Sequence, residues 1–183
     1  MLACSRRWVL WLSCLASSAC FGESPAIETG SSDDGGMCPE DLIAPGLAAC
    51  PDACTGGCES DNVCAIACSG EAVCADLVLA CPAEYECEIL CTGIDACDGA
   101  TVNCPPDLPC ALICEGGADA CGDSTVNCGS GECSVQCGAT DSVCSGTRMR
   151  CGGGACVAEC AGNSFPVLEN CDESCGCTPC EAS

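Results

Sequence analysis

The chain has 183 residues, of which 29 are cysteine and none is histidine; its four basic residues are all arginine, its acidic residues number 27, and its formal charge is −23. An aromatic content of 3% leaves little with which to fill an ordinary core. Without His or Lys, Ser–His arrangements, Schiff-base lysines and mixed Cys/His zinc sites are unavailable, and so acidic a surface excludes nucleic acid and anionic headgroups as partners.

Arg6 and Arg7 precede a 12-residue apolar run, Trp8 to Ala19, that ends in small residues. A membrane-spanning helix needs roughly 20, so the pattern predicts an export signal over residues 1–19. Export places the cysteines in an oxidising compartment and predicts disulfides over thiolate metal sites. At Ser17-Ser18-Ala19-Cys20 the chain resembles bacterial lipoprotein precursors, which are cleaved before a cysteine that takes the lipid. The resemblance implies lipidation of Cys20; Ser17 stands where such signals usually carry leucine, and plain secretion is the alternative. Cleavage removes Cys4 and Cys14, and lipidation of Cys20 leaves 26 cysteines, an even set for 13 disulfides, whereas secretion leaves 27. The remaining chain would carry −25, two arginines against 27 carboxylates. Phe21 after the cysteine resembles lipoproteins sorted to the outer membrane. Residues 20–36 are the lipidated cysteine and a flexible acidic Gly/Ser tether with a reach of roughly 20–25 Å.

Residues 37–63, with Cys38, Cys50, Cys54 and Cys58, are expected to form an N-terminal cap and a partial coil. From Cys64 a period appears: Cys64, Cys87, Cys110, Cys133 and Cys156 lie 23 apart, as do Cys68, Cys91, Cys114, Cys137 and Cys160. Two more columns, Cys74, Cys97, Cys121, Cys144 and Cys81, Cys104, Cys128, Cys151, follow at steps of 23, 24 and 23. Such a period marks a solenoid, here residues 64–162. Between the first two columns sit Ile66, Ile89, Leu112, Val135 and Ala158, so cysteine and aliphatic residues alternate on one strand face. Leu79, Val102, Val126 and Met149 form a second inward column, with Thr101, Asn103, Thr125, Asn127, Arg148 and Arg150 facing outward. Gly70, Gly93, Gly116 and Gly162 mark one corner, where glycine supplies unusual backbone angles; Pro82, Pro105, Gly129 and Gly152 mark the other.

Over about residues 50–162 the period and alternation resemble right-handed parallel β-helices. The expected fold is all-β: a small right-handed parallel β-helix-like solenoid with ~23-residue coils and a disulfide-filled core. Cys64 and Cys68, about 13 Å apart along a strand, cannot bond each other, so each must reach across a corner or to the next coil. A bridge closing about 15 residues would contribute roughly 3 kcal/mol. Insect antifreeze solenoids share cysteine-filled cores, but their outward Thr-x-Thr arrays are missing here. Leader, acidic tether and cysteine repeats together resemble the cysteine-rich lipoproteins of myxobacteria.

Residues 163–183, including the cluster from Cys171 through Cys175 and Cys177 to Cys180, are expected to form a disulfide cap that could hold zinc only if reduced. Glu71, Asp95, Asp119 and Asp141 supply one acid per coil at the glycine corner, a candidate calcium site without an EF-hand loop. Ala67, Leu90 and Ile113, beside Ala65, Ala111 and Val157, form an outward apolar strip that is a candidate partner site. Arg148 and Arg150 share one coil face and are expected to pair with nearby acids. The expected function is a non-catalytic, lipid-anchored envelope or surface protein with a structural or binding role and a protein or glycan partner. The alternatives are a calcium-dependent adhesion module and a small carbohydrate-active β-helix enzyme.

Overall fold

A computed structural model describes residues 38, 40, 42–47, 49–59 and 62–181. The predicted export signal, the lipidation expected at Cys20 and the predicted tether lie outside the described residues. Among those described, the chain forms twelve short strands: β1 Gly57–Cys58, β2 Val63–Ser69, β3 Val78–Ala80, β4 Glu86–Thr92, β5 Thr101–Asn103, β6 Cys110–Glu115, β7 Thr125–Asn127, β8 Cys133–Cys137, β9 Arg148–Arg150, β10 Ala155–Cys160, β11 Val167–Glu169 and β12 Gly176–Thr178. They wind into a parallel β-solenoid. Each coil gives one strand to a larger sheet, ordered β1-β2-β4-β6-β8-β10-β12, and one to a smaller sheet, ordered β11-β9-β7-β5-β3. All pairings are parallel except that of β1, which runs antiparallel on β2.

The repeat sets the register. Cys64, Cys87, Cys110, Cys133 and Cys156 stand in one row, and Ile66, Ile89, Leu112, Val135 and Ala158 in the next inward row. Opposite them run Leu79, Val102, Val126, Met149 and Leu168. Between Gly93 and Asp95 there is one residue, but between their partners Gly116 and Asp119 there are two, which absorbs the 24-residue step. Ile89, Leu112, Val135, Val102, Val126 and Met149 are fully buried, which fills the space between the sheets with one aliphatic side chain per sheet per coil. So thin a core would be marginal alone.

Sulfur supplies the rest. Every cysteine from Cys38 to Cys180 is in one of 13 disulfides. Of the two geometries open to the regular cysteines, the corner prevails. Cys68–Cys74, Cys91–Cys97, Cys114–Cys121 and Cys137–Cys144 close the glycine corner, and Cys81–Cys87, Cys104–Cys110, Cys128–Cys133 and Cys151–Cys156 close the other. These loops are far shorter than 15 residues, so each bridge contributes about 2 kcal/mol on the chain-entropy account. They fix the shape of each coil, while backbone ladders and the core hold coil to coil. Adjacent bridges nevertheless touch, since Cys104 Sγ lies 4.0 Å from Cys133 Sγ of the next coil.

The glycine corner has a fixed chemistry. In each coil a turn from the corner cysteine to the third residue beyond it is closed by Leu77 N–H on Cys74 C=O, Ala100 on Cys97, Ser124 on Cys121 and Thr147 on Cys144. Its third position is left-handed, φ 57° at Asp76, 65° at Gly99, 48° at Asp123 and 75° at Gly146. Only Gly, Asp and Asn take that conformation easily, which explains the alternation of Asp and Gly. At the opposite corner Gly152 and Gly129 are needed for space: an added Cβ would strike the carbonyl oxygens of Gly129 and Pro105 in the preceding coil. Gly162, read above as a conformational glycine, also belongs to this second kind, since its Cβ would meet Ala139 O at 3.0 Å.

The ends depart from the expected caps. Cys50–Cys58 and Cys54–Cys64 do hold residues 50–58 against the first coil. Cys38, grouped with them on sequence, is instead bonded to Cys175 at the far end, 137 residues away. From there the chain returns to the first coil, where Gly46 N–H donates to Glu84 C=O (2.9 Å), Asn62 Nδ2 to Ala44 C=O (2.8 Å) and Leu47 N–H to the Tyr85 hydroxyl (2.7 Å). The described residues 38, 40 and 42–47 thus form a strap fastened at both ends, with its own Ala44 buried and Tyr85 buried beneath it. Residues 163–181 both extend the sheets, through β11 and β12, and close them, through Cys160–Cys180 and Cys171–Cys177.

Candidate functional site

The solenoid offers three surfaces. The first is the glycine corner. Here the four acids predicted to form one column fall into two. Asp95 N–H donates to Ala118 C=O and Ala72 N–H to Ile94 C=O, which aligns Ala72, Asp95, Asp119 and Ser142; Glu71 and Asp141 stand one residue earlier, in line with Ile94 and Ala118. The two rows also differ in backbone, because the first is left-handed throughout, φ 51–63°, a conformation Asp adopts more easily than Glu, whereas Glu71 and Asp141 are not left-handed. A tighter group forms around Asp98. Its pKa is raised, first by burial and then by Asp95, Asp123, Asp119 and Asp76. The carboxylates of Asp76, Asp98 and Asp123 fold back over the next coil, so that a Cβ on Gly99, Gly122 or Gly146 would run into their Oδ1 atoms.

Burial and the neighbouring carboxylates together predict a pH dependence. A carboxyl whose pKa is raised on folding binds its proton more tightly in the folded state, so acidification from neutrality down to its ordinary value near 3.8 stabilises the fold. Asp98→Asn should raise the melting temperature at neutral pH by about 1–3 °C and remove part of the gain seen on acidification. A pH profile unchanged by the substitution would show that folding does not raise the Asp98 pKa. Glu169 acts with the opposite sign, since hydrogen bonds from Arg150 and then Arg148 hold its pKa down. Its contribution is present at neutral pH and lost as the carboxylate protonates.

The second surface is the outward face of the larger sheet. Ala67, Leu90 and Ile113 do stand side by side in one row, which continues as Gln136 and Glu159. The neighbouring row reads Ala65, Glu88, Ala111, Ser134, Val157, so the strip is interrupted by acid and hydroxyl groups, and its three leading residues are half-buried. On the other sheet Arg148 and Arg150 flank Glu169 at 3.1 and 3.2 Å and grip it together. Glu169 comes from the next coil, a partner that the repeat alone did not identify because it follows the last regular cysteine column.

The third surface was not anticipated. Residues 50–58 and β1 extend the larger sheet beyond the first coil, but β3 is the last strand of the smaller sheet. The result is a step at the N-terminal end. A groove of about 370 Å³ opens there between Ala53 and Thr55 on the overhang, Ile66 beneath, and Leu77, Val78 and Leu79 on the lower side. Val78 is 68% exposed, and Leu77 and Val73 are each 50% exposed. A sequence signal was present: Leu77-Val78-Leu79-Ala80 is the most apolar of the second strands, where later coils carry Thr and Asn.

Among the described residues three cysteine groups have the geometry to hold a metal ion, with their sulfurs within 4.8 Å of one another: Cys50, Cys54, Cys58; Cys68, Cys91, Cys97; and Cys151, Cys171, Cys177. All nine residues are in disulfides, so a thiolate site would require reduction first. Among the described residues no helix is long and apolar enough to cross a membrane. No protein-family model, curated protein or solved structure matches the chain.

Proposed function

We propose that this chain is an exported, non-catalytic scaffold, anchored by a lipid on Cys20 and presenting a disulfide-locked rod at the envelope surface. One observation carries the reading: the 13 bridges consume all 26 cysteines from Cys38 onward, so that once cleavage removes Cys4 and Cys14 none of the described cysteines is left to pair with Cys20. A cysteine left over in a cleaved chain whose other cysteines are all paired suits attachment to a lipid. Cysteines paired this completely suit an oxidising compartment.

Intact-mass analysis of the purified native protein tests this. The expected species begins at Cys20, carries an acyl adduct and gains 26 hydrogens on reduction, two for each of 13 bridges. A mature chain without the adduct, or with Cys20 as a titratable thiol, would reject the anchor.

A further inference from the structure

The step at the N-terminal end is a receptor for one strand, and we propose that it binds an extended, basic segment of a partner protein by adding that segment to the edge of the smaller sheet. The backbone is prepared for it. Thr101 N–H donates to Leu77 C=O (2.8 Å) and Cys81 N–H to Asn103 C=O (3.0 Å), so residues 77, 79 and 81 turn their peptide groups toward β5. By the alternation of a parallel ladder, Val78 and Ala80 turn their N–H and C=O groups outward, where the smaller sheet has no further strand among the described residues. An incoming strand would bond to these groups and lay an aliphatic side chain in the groove over Leu79 and Ile66. The backbone ladder supplies affinity and the side-chain pocket supplies selection, as in other cases of strand addition.

Charge selects the occupant. Exposed Asp52 and Glu71 belong to the overhang and first coil, and between Arg7 and Arg148 the chain has no basic residue. A segment alternating aliphatic residues with Lys or Arg complements this end, whereas the chain's own tether, with Glu23, Glu28, Asp33 and Asp34, carries the same sign as the site. A second copy brings like charge too, and its shape is wrong. β1 and β12 each carry the larger sheet one strand beyond the smaller, so butting one rod's end on another's start leaves β11 and β3 about 14 Å apart, three strand spacings.

The site rests on the reading of the rod as a binding scaffold. Its loss would leave the lipid adduct and disulfide count of Cys20 and the rod unchanged, so the two readings fail separately. The test uses the full processed protein and a fluorescent peptide alternating valine and lysine. Saturable binding is expected at physiological salt, at least about tenfold weaker for Val78→Pro and for a peptide with proline at alternate positions. Proline at 78 removes an outward N–H without touching the ladder to β5. In the unaltered protein, the Val78 and Ala80 amides should exchange rapidly alone and slow at least about tenfold with peptide bound, a measurement independent of any variant's folding. No binding, equal binding of the proline peptide, or slow exchange of these amides in the protein alone would overturn the proposal. Self-association abolished by Val78→Pro would assign the groove to a second copy instead.

Discussion

Full reduction is expected to abolish the cooperative thermal transition and to leave a chain with little regular structure. Each coil places only one aliphatic side chain from each sheet into the core, as Ile89 and Val102 do in the second coil. Eight corner bridges at about 2 kcal/mol each exceed the whole stability of a typical domain, about 5–15 kcal/mol. Contributions from adjacent bridges do not add fully, yet even half of that sum is decisive. Circular dichroism melts with and without reductant read the effect directly. A reduced protein that still melted cooperatively near the oxidised temperature would mean that coil stacking, not sulfur, holds the fold.

Opening the strap is expected to have the largest effect of any single bridge. Cys38–Cys175 spans 137 residues, where the corner bridges span 5–7. Shorter bridges already restrict the denatured chain, so the gain falls below the simple long-loop value and comes to about 3 kcal/mol, or roughly 6–12 °C in melting temperature. Cys38→Ser with Cys175→Ser should lose this much and expose Gly46 and Leu47 to proteolysis, while the amides of β4 and β6 stay protected. The corner variant Cys128→Ala with Cys133→Ala should leave the strap closed. Equal protection of the strap with and without its bridge would show that Tyr85 and Asn62 suffice to hold it.

The repeating part of the fold was legible because its signals are local. Period-two alternation in Cys64-Ala65-Ile66-Ala67-Cys68 marks an inward face, and a fixed step aligns that face from coil to coil. Pairing was not legible. A cysteine at a strand end has two reachable partners, and only the corner's turn geometry, with its left-handed residue at Asp76 or Gly99, decides between them. The acidic column was misaligned as well: Glu71 and Asp95 look equivalent as charges but stand in neighbouring rows, and the backbone at Asp95 is left-handed where that at Glu71 is not. Cys38 gave no hint of Cys175, since nothing within a short window reports a contact across the whole length of the rod. The groove was missed because it depends on where the smaller sheet stops.

The strap also sets an order of events. Each corner cysteine meets its partner 5–7 residues later, so those bonds can form as the chain emerges. Cys38 is the first of the paired cysteines to appear and has to wait for nearly all the others, because Cys175 appears only after the fifth coil. During that interval its thiol could capture a wrong partner, and Cys50 and Cys54 are the nearest along the chain. The oldest thiol in the molecule therefore makes one of its youngest bonds, and closing it certifies that every coil between has been laid down.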